Sequence, residues 1–285
     1  MKELIIVRGG GDIASGVIWT LRNAGFHVLV LEQRYPSAIR LTVSFCNAMY
    51  EGNCRIEGTE CTAAGSEEEA FRLLSKDGLT VFTDPAGECL RHFSSEHAWQ
   101  YKGFRLTALI DAILAKYNTG TDLEMAPFVA ALGPGFTPGK DCHAAIETMR
   151  GHDLGRILYD RCPKENTGIP GVIAGHAADR VIYAPADGKL RRVREIGEIA
   201  EAGETIALIE KGEAGAETVP VRASFKGLIR GLIHDGYPVQ EGMKIADLDP
   251  RASERQNCYT ISDKARCIGG TVLTAIIKHV NEGKV

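Results

Sequence analysis

Three consecutive glycines, Gly9, Gly10 and Gly11, stand between an apolar run, Leu4 to Val7, and the helical pattern Ile13, Val17, Leu21. With Asp12 and Ala14 they fit GxGxxG/A. Small residues at such a turn let the backbone approach a pyrophosphate, and the amides and dipole of the following helix favour an anion. Glu32 closes the next apolar run 21 residues after Gly11, where an acid can accept a hydrogen bond from a ribose hydroxyl. Read structurally, the same stretch is a strand-to-helix turn with Asp12 as a polar cap. A Walker A loop is excluded, because Val17 stands where that motif requires lysine.

A second loop, "GPGFTPGKDCH", follows an apolar strand pattern and contributes Gly133, Gly135, Phe136, Thr137 and Gly139 as candidate cofactor contacts. Open α/β sheets bind ligands at the carboxyl ends of their strands, so the two loops are expected to face one crevice. A helix is predicted to begin near Asp141, which places Cys142 and His143 in its first turn, where amides and the dipole lower a thiol's pKa. Asp141, Cys142 and His143 are therefore the candidate catalytic residues, with Cys142 a nucleophile or chalcogen acceptor. Adjacent helical residues point about 100° apart, so His143 is not automatically its base. An inert structural thiol is the competing reading. Asp84, in "VFTDPAG", is a third candidate edge of the crevice or, equally, a helix cap. Cys46, Cys54 and Cys61 have no nearby histidine and poor spacing for zinc, and no metal site is expected.

Strands are predicted at 4–7, 28–31, 80–83 and 128–132, and helices at 13–21, 66–78 and 104–118, with 33–63 the least defined stretch. Alternating strands and helices imply a parallel sheet covered by helices. Pro and Gly accumulate around 162–177 and mark a boundary. Beyond it, "APADGKLRRVREIGEIAEAGETIALIE" and "ASFKGLIRGLIHDGYPVQEGMKIADLD" superpose at an offset of 39: Gly188 on Gly227, Gly197 on Gly236, Gly203 on Gly242, Ile206 on Ile245. Two such β-units resemble the barrel-sandwich hybrid of biotinyl and lipoyl carriers. Glu213 falls where a carrier's modified lysine is expected, so neither biotin nor lipoate is predicted. In the tail, Ser262 or Asp263 caps a further helix whose Gly269-Gly270 suggests close approach to another backbone.

The expected fold is thus α/β: a Rossmann-like nucleotide- or cofactor-binding domain over 1–175, a barrel-sandwich hybrid β-module over 176–250, and a C-terminal helical segment over 251–285 packing on the body. The 285 residues are 44% apolar and 25% charged with net charge −4, which argues against disorder, a membrane span and a nucleic-acid-binding field. The four-residue apolar run after Met1-Lys2 is too short for a signal peptide's core, and a cytoplasmic location is expected.

Together, "VRGGGDIASG", "ALGPGFTPGKDCHAAIETMRGHDLGR", "TGIPG" and "TISDKARCIGG" resemble the YqeB family of selenium-dependent molybdenum hydroxylase accessory proteins. The first half is also similar to the Rossmann portion of XdhC-type chaperones. The resemblance implies a role in maturing molybdenum hydroxylases, with a hydroxylase client and other maturation proteins as partners, a molybdopterin dinucleotide as ligand, and a possible homodimer. Two alternatives stay open: an NAD(P)-dependent oxidoreductase, or a sulfur or selenium transferase working through Cys142.

Overall fold

The computed structural model describes residues 1–168, 175–212 and 217–283. The chain forms two compact units. The first comprises Met1–Pro36, Ser44–Thr167 and Ile261–Val285, the second Ser37–Val43 and Gly168–Thr260. Residues 169–174 of the Pro- and Gly-rich stretch expected at the boundary, and Glu213, lie outside the described residues.

The first unit is built on a ten-stranded sheet. Its strands are β1 (Lys2–Arg8), β2 (His27–Glu32), β3 (Asn53–Ile56), β4 (Thr59–Ala64), β5 (Leu79–Thr83), β6 (Gln100–Tyr101), β7 (Phe104–Asp111), β8 (Val129–Leu132), β9 (Ala144–Ile146) and β10 (Ile157–Leu158). The order is β10-β9-β8-β7-β1-β2-β5-β4-β3, with β6 paired to β7. Pairs from β9 across to β4 are parallel, while β3-β4, β6-β7 and β9-β10 are antiparallel. The chain moves outward from β1 through β2 and β5 on one side, then returns to β7 on the other. The direction of winding therefore reverses between β1 and β7.

Helix α1 (Asp12–Asn23) buries Ile13, Val17 and Leu21 at the spacing the sequence shows. After the short α2 (Ala48–Glu51), α3 (Glu67–Asp77) starts where Ser66 Oγ accepts the Glu69 N–H and stops at left-handed Gly78. Helix α4 (Asp263–Asn281) is capped by Ser262 and contributes Ala265, Ile268, Val272 and Ile276 to the same apolar cluster as Ile13, Val17 and Leu21. A Cβ on Gly269 would stand 2.5 Å from Gly16 O, and one on Gly16 would stand 2.4 Å from Ala265 O, so backbone contact replaces side chains at this crossing. Gly16 faces Ala265 and Gly269 while Thr20 faces Gly269, so α1 and α4 run the same way.

The second unit follows the 39-residue repeat strand by strand. β11 (Val181–Tyr183), β12 (Gly188–Arg192), β13 (Ile199–Ala200) and β14 (Thr205–Lys211) correspond to β15 (Glu217–Arg222), β16 (Gly227–Leu232), β17 (Pro238–Val239) and β18 (Lys244–Asp249). They form two four-stranded antiparallel sheets, β11-β18-β16-β13 and β15-β14-β12-β17, each the counterpart of the other under the repeat.

The expected fold class needs correction. The sheet is mixed rather than a Rossmann-like parallel sheet, with antiparallel pairs at both edges. The helix predicted over 104–118 is instead β7, at the centre of the sheet. Being covered on both faces, β7 is apolar on both faces and shows no alternation. The helix predicted from Asp141 does not form, and β8 returns to β9 without one. Of the 251–285 segment, the helix from Asp263 contributes to the first unit's core, while residues up to Thr260 belong to the second unit. The second unit consists of two four-stranded antiparallel sheets, in place of the expected barrel-sandwich hybrid.

Candidate functional site

Reversal of winding marks the carboxyl ends of the diverging strands as the place where open α/β sheets hold ligands. Here the two strands are β1 and β7, and their last residues, Arg8 and Asp111, are cross-strand partners. Both are buried, at 2% and 1% exposure, and Arg8 Nη1 lies 3.5 Å from Asp111 Oδ2. Thr121 links them: its hydroxyl accepts from Arg8 Nη1 and donates to Asp111 Oδ2, each at 2.5 Å. Arg8 Nη2 also donates to Pro85 O at 2.9 Å, which ties in the loop after β5. Burial pushes the Asp111 carboxyl up, against the opposing pull of Thr121, Arg8 and the Ile113 amide. Sequence reading missed all three residues, although Arg8 ends an apolar strand pattern and Asp111 is the lone acid in "LTALIDAILA".

The first glycine turn sits directly on this pair. Gly9 has φ +92°, and a Cβ there would stand 2.9 Å from Ala112 O; Gly10 would meet Cys46 N at the same distance. Gly10 N–H donates to Glu32 Oε2 at 2.8 Å, and the other Glu32 oxygen accepts Gln33 N–H. Burial raises the Glu32 pKa while these two amide bonds oppose the rise. Glu32 thus braces the turn through Oε2 and holds its own strand end through Oε1, instead of reaching outward as expected of a ribose acceptor. Gly11, the N-cap of α1, has nothing within 4 Å of its would-be Cβ, so the helix start is open there. Because α1 and α4 run in parallel, both helices present their N-terminal ends to this crest. Half-buried Lys264, in the first turn of α4, has its pKa lowered by burial and feels Asp12, Arg150, Glu147 and Asp263. Two helix starts and a lysine favour an anion.

Asp84 accepts the Glu88 and Cys89 amides at 2.8 and 2.9 Å, so it caps the single-turn segment after β5. Beside it lies a cavity of about 570 Å³, lined by Gly87, Glu88, Arg91, Gly120, Asp122 and Glu124 among others. This volume falls in the range of small-molecule sites.

The second loop behaves differently. Gly133 and Gly135 have positive φ, and Gly135 packs so tightly that a Cβ would stand 2.5 Å from Tyr117 Cα. Both glycine turns therefore lean on the segment after β7, Gly9 at Ala112 and Gly135 at Tyr117. Leu114 and Lys116 in that segment adopt φ of +60° and +72°, a region costly for residues with a Cβ. From there the loop closes on itself: Asp141 Oδ2 accepts Thr137 N–H, Gly139 N–H donates to Cys142 O, and Phe136 is buried. Cys142 lies in the core, and its thiol is pushed up to about 12 by burial, with Asp141 and Asp111 adding to the rise. The activating helix start expected for it is absent. His143 accepts the Val129 N–H through Nδ1, at the amino end of β8 and β9. Cys142 and His143 thus stand at the amino ends of the strands, whereas Gly9–Gly11, Glu32, Asp84 and Gly133 stand at the carboxyl ends. His143 borders a separate cavity of about 320 Å³ with Phe128, Tyr159, Lys278 and His279.

No family model matches the chain. It is 44% identical over 281 residues to YqeB of Escherichia coli (strain K12), an uncharacterized protein; the match takes in 99% of this chain and 48% of that one. The chain therefore spans about half the length of the curated relative it matches. Solved structures with some likeness include an aspartoacylase family protein from Mesorhizobium loti, 10% identical, covering 88% of this chain and 86% of that one at TM-score 0.29. Another is the product-bound ectoine utilization protein EutE (DoeB) of Ruegeria pomeroyi, 12% identical, covering 86% and 56% at TM-score 0.25. No helix among the described residues is long and apolar enough to cross a membrane.

Proposed function

The chain belongs to the YqeB family, and from that premise we propose that it is an accessory protein for maturing selenium-dependent molybdenum hydroxylases. In this reading it holds a molybdopterin dinucleotide, or a related nucleotide, at the crest between β1 and β7. The carrying observation is the open Gly11 start of α1, set directly above the buried Arg8–Asp111 pair at the point where the winding reverses. The phosphates would meet the Gly11 end of α1 and Lys264, and a base or pterin ring would extend toward the cavity beside Asp84. The second loop would shape the crevice through its contact with Tyr117 rather than bind phosphate itself.

Client binding, self-association and cytoplasmic residence belong to the same proposal. An NAD(P) enzyme fits less well, because Glu32 spends both oxygens on backbone amides. A transferase acting through Cys142 fits less well too, because that thiol is buried and its pKa is raised.

Native mass spectrometry of the full chain, purified anaerobically and titrated with a molybdopterin dinucleotide or with NAD⁺, tests the reading. Retention of the pterin dinucleotide with no hydride transfer from NAD(P)H supports it. Retention of neither nucleotide, or NAD-dependent turnover, overturns it.

A further inference from the structure

Cys54 and Cys61, unremarkable in sequence, are brought face to face. The hairpin β3-β4 turns through Glu57 and Gly58, both at positive φ, and sets Cys54 directly opposite Cys61. Antiparallel partners have Cα atoms about 4.5–5.5 Å apart, inside the 4.4–6.8 Å that a disulfide spans. Cys61 is fully buried, whereas Cys54 is partly accessible. We propose that Cys54 and Cys61 form a redox site, closed to a cross-strand disulfide by exchange with a low-molecular-weight disulfide.

The two thiols have unequal roles. The Cys61 thiol hydrogen-bonds to the Cys54 sulfur, which lowers the Cys54 pKa, while burial drives that of Cys61 well up. Cys54 is therefore the attacking thiolate and Cys61 the resolving thiol. In the first step Cys54 Sγ bonds to one sulfur of R–S–S–R and expels RS⁻. In the second, Cys61 gives its proton to the departing thiolate as its sulfur displaces the remaining RS⁻ from Cys54. The two protein thiols are oxidised, and the small disulfide is reduced to two RSH.

The pair also reaches the first glycine turn. Cys54 Sγ donates to Phe45 O at 3.5 Å; Phe45 N–H donates to Ser15 Oγ at 2.8 Å, and Ser15 Oγ to Gly10 O. The neighbouring Cys46 N–H donates to that same Gly10 oxygen at 2.9 Å. Oxidation removes the Cys54 donor from this chain of bonds. The redox site does not depend on the nucleotide reading, since its test counts sulfur bonds and not ligand.

Treating the folded, reduced full chain with oxidised glutathione, quenching with acid and mapping peptides after denaturing alkylation tests the proposal. The expected result is a Cys54–Cys61 linked peptide that dithiothreitol reverses, with Cys61→Ser instead trapping glutathione on Cys54. The proposal is overturned if the wild-type map shows both thiols alkylated while the exposed Cys162 and Cys267 carry glutathione. Should Cys61→Ser not fold, the wild-type map decides alone.

Discussion

Two glycine-rich loops leave the carboxyl ends of parallel strands in the same unit, yet they are built for different tasks. The turn at Gly9–Gly11 runs straight into a helix, is braced from below by Glu32, and leaves Gly11 open. The loop at Gly133–Gly139 spends its polar groups on itself, buries Phe136 and crosses to β9 with no helix. Glycine content alone does not make a ligand loop. What matters is whether the amides after the glycines remain available, and a helix start keeps them so.

The contrast rests on the support beneath each loop and can be broken there. The largest effect is expected from Asp111→Ala, which strands the buried Arg8 guanidinium; losing one partner of such a pair costs about 3–5 kcal/mol. Urea denaturation should show this as a lower midpoint with an unchanged slope. Next comes Gly269→Ala, which forces a methyl against Gly16 O and costs about 1–3 kcal/mol by overpacking. Gly270→Ala, which meets nothing, should instead stabilise the helix by up to about 1 kcal/mol. In the second loop, Asp141→Ala removes the bond to Thr137 N–H and is expected to cost only about 1 kcal/mol. If Asp141→Ala proved as damaging as Asp111→Ala, the second loop would be the structural centre instead. Finally, with its thiol at about 12, Cys142 is protonated at pH 8 and should resist iodoacetamide in the folded chain, while exposed Cys162 and Cys267 react.

Where local signals and tertiary context agreed, the sequence was readable. Ser66 and Gly78 bracket α3 as capping rules require, and the 39-residue repeat reappears as strand-for-strand correspondence. Gly269 does mark a close backbone approach. Where the two conflicted, periodicity misled. "FRLTALIDAIL" carries apolar residues at helical spacing because β7 is buried on both faces, and such a run does not distinguish strand from helix. Asp141 imitates a helix cap, but its carboxylate turns back to Thr137 instead of forward. The glycine turn and Glu32 were visible as a motif, whereas Arg8, Asp111 and Thr121 depend on a pairing of β1 with β7 that no local pattern encodes. Cys54 and Cys61, too, became partners only once the hairpin register was known.

The most direct test is the affinity of a molybdopterin dinucleotide for the wild-type chain, for Gly11→Asp and for Gly139→Asp, measured by calorimetry. Aspartate is a good N-cap, so Gly11→Asp should fold while placing a carboxylate where the phosphate is meant to sit. Binding to Gly11→Asp is predicted to weaken by about tenfold or more, the equivalent of about 1.4 kcal/mol. Gly139→Asp faces open space at a φ of +80°, a left-handed conformation that aspartate adopts more readily than most residues, and should fold and bind like the wild type. Undiminished binding by Gly11→Asp, or a loss confined to Gly139→Asp, would contradict the assignment of the first turn as the phosphate site.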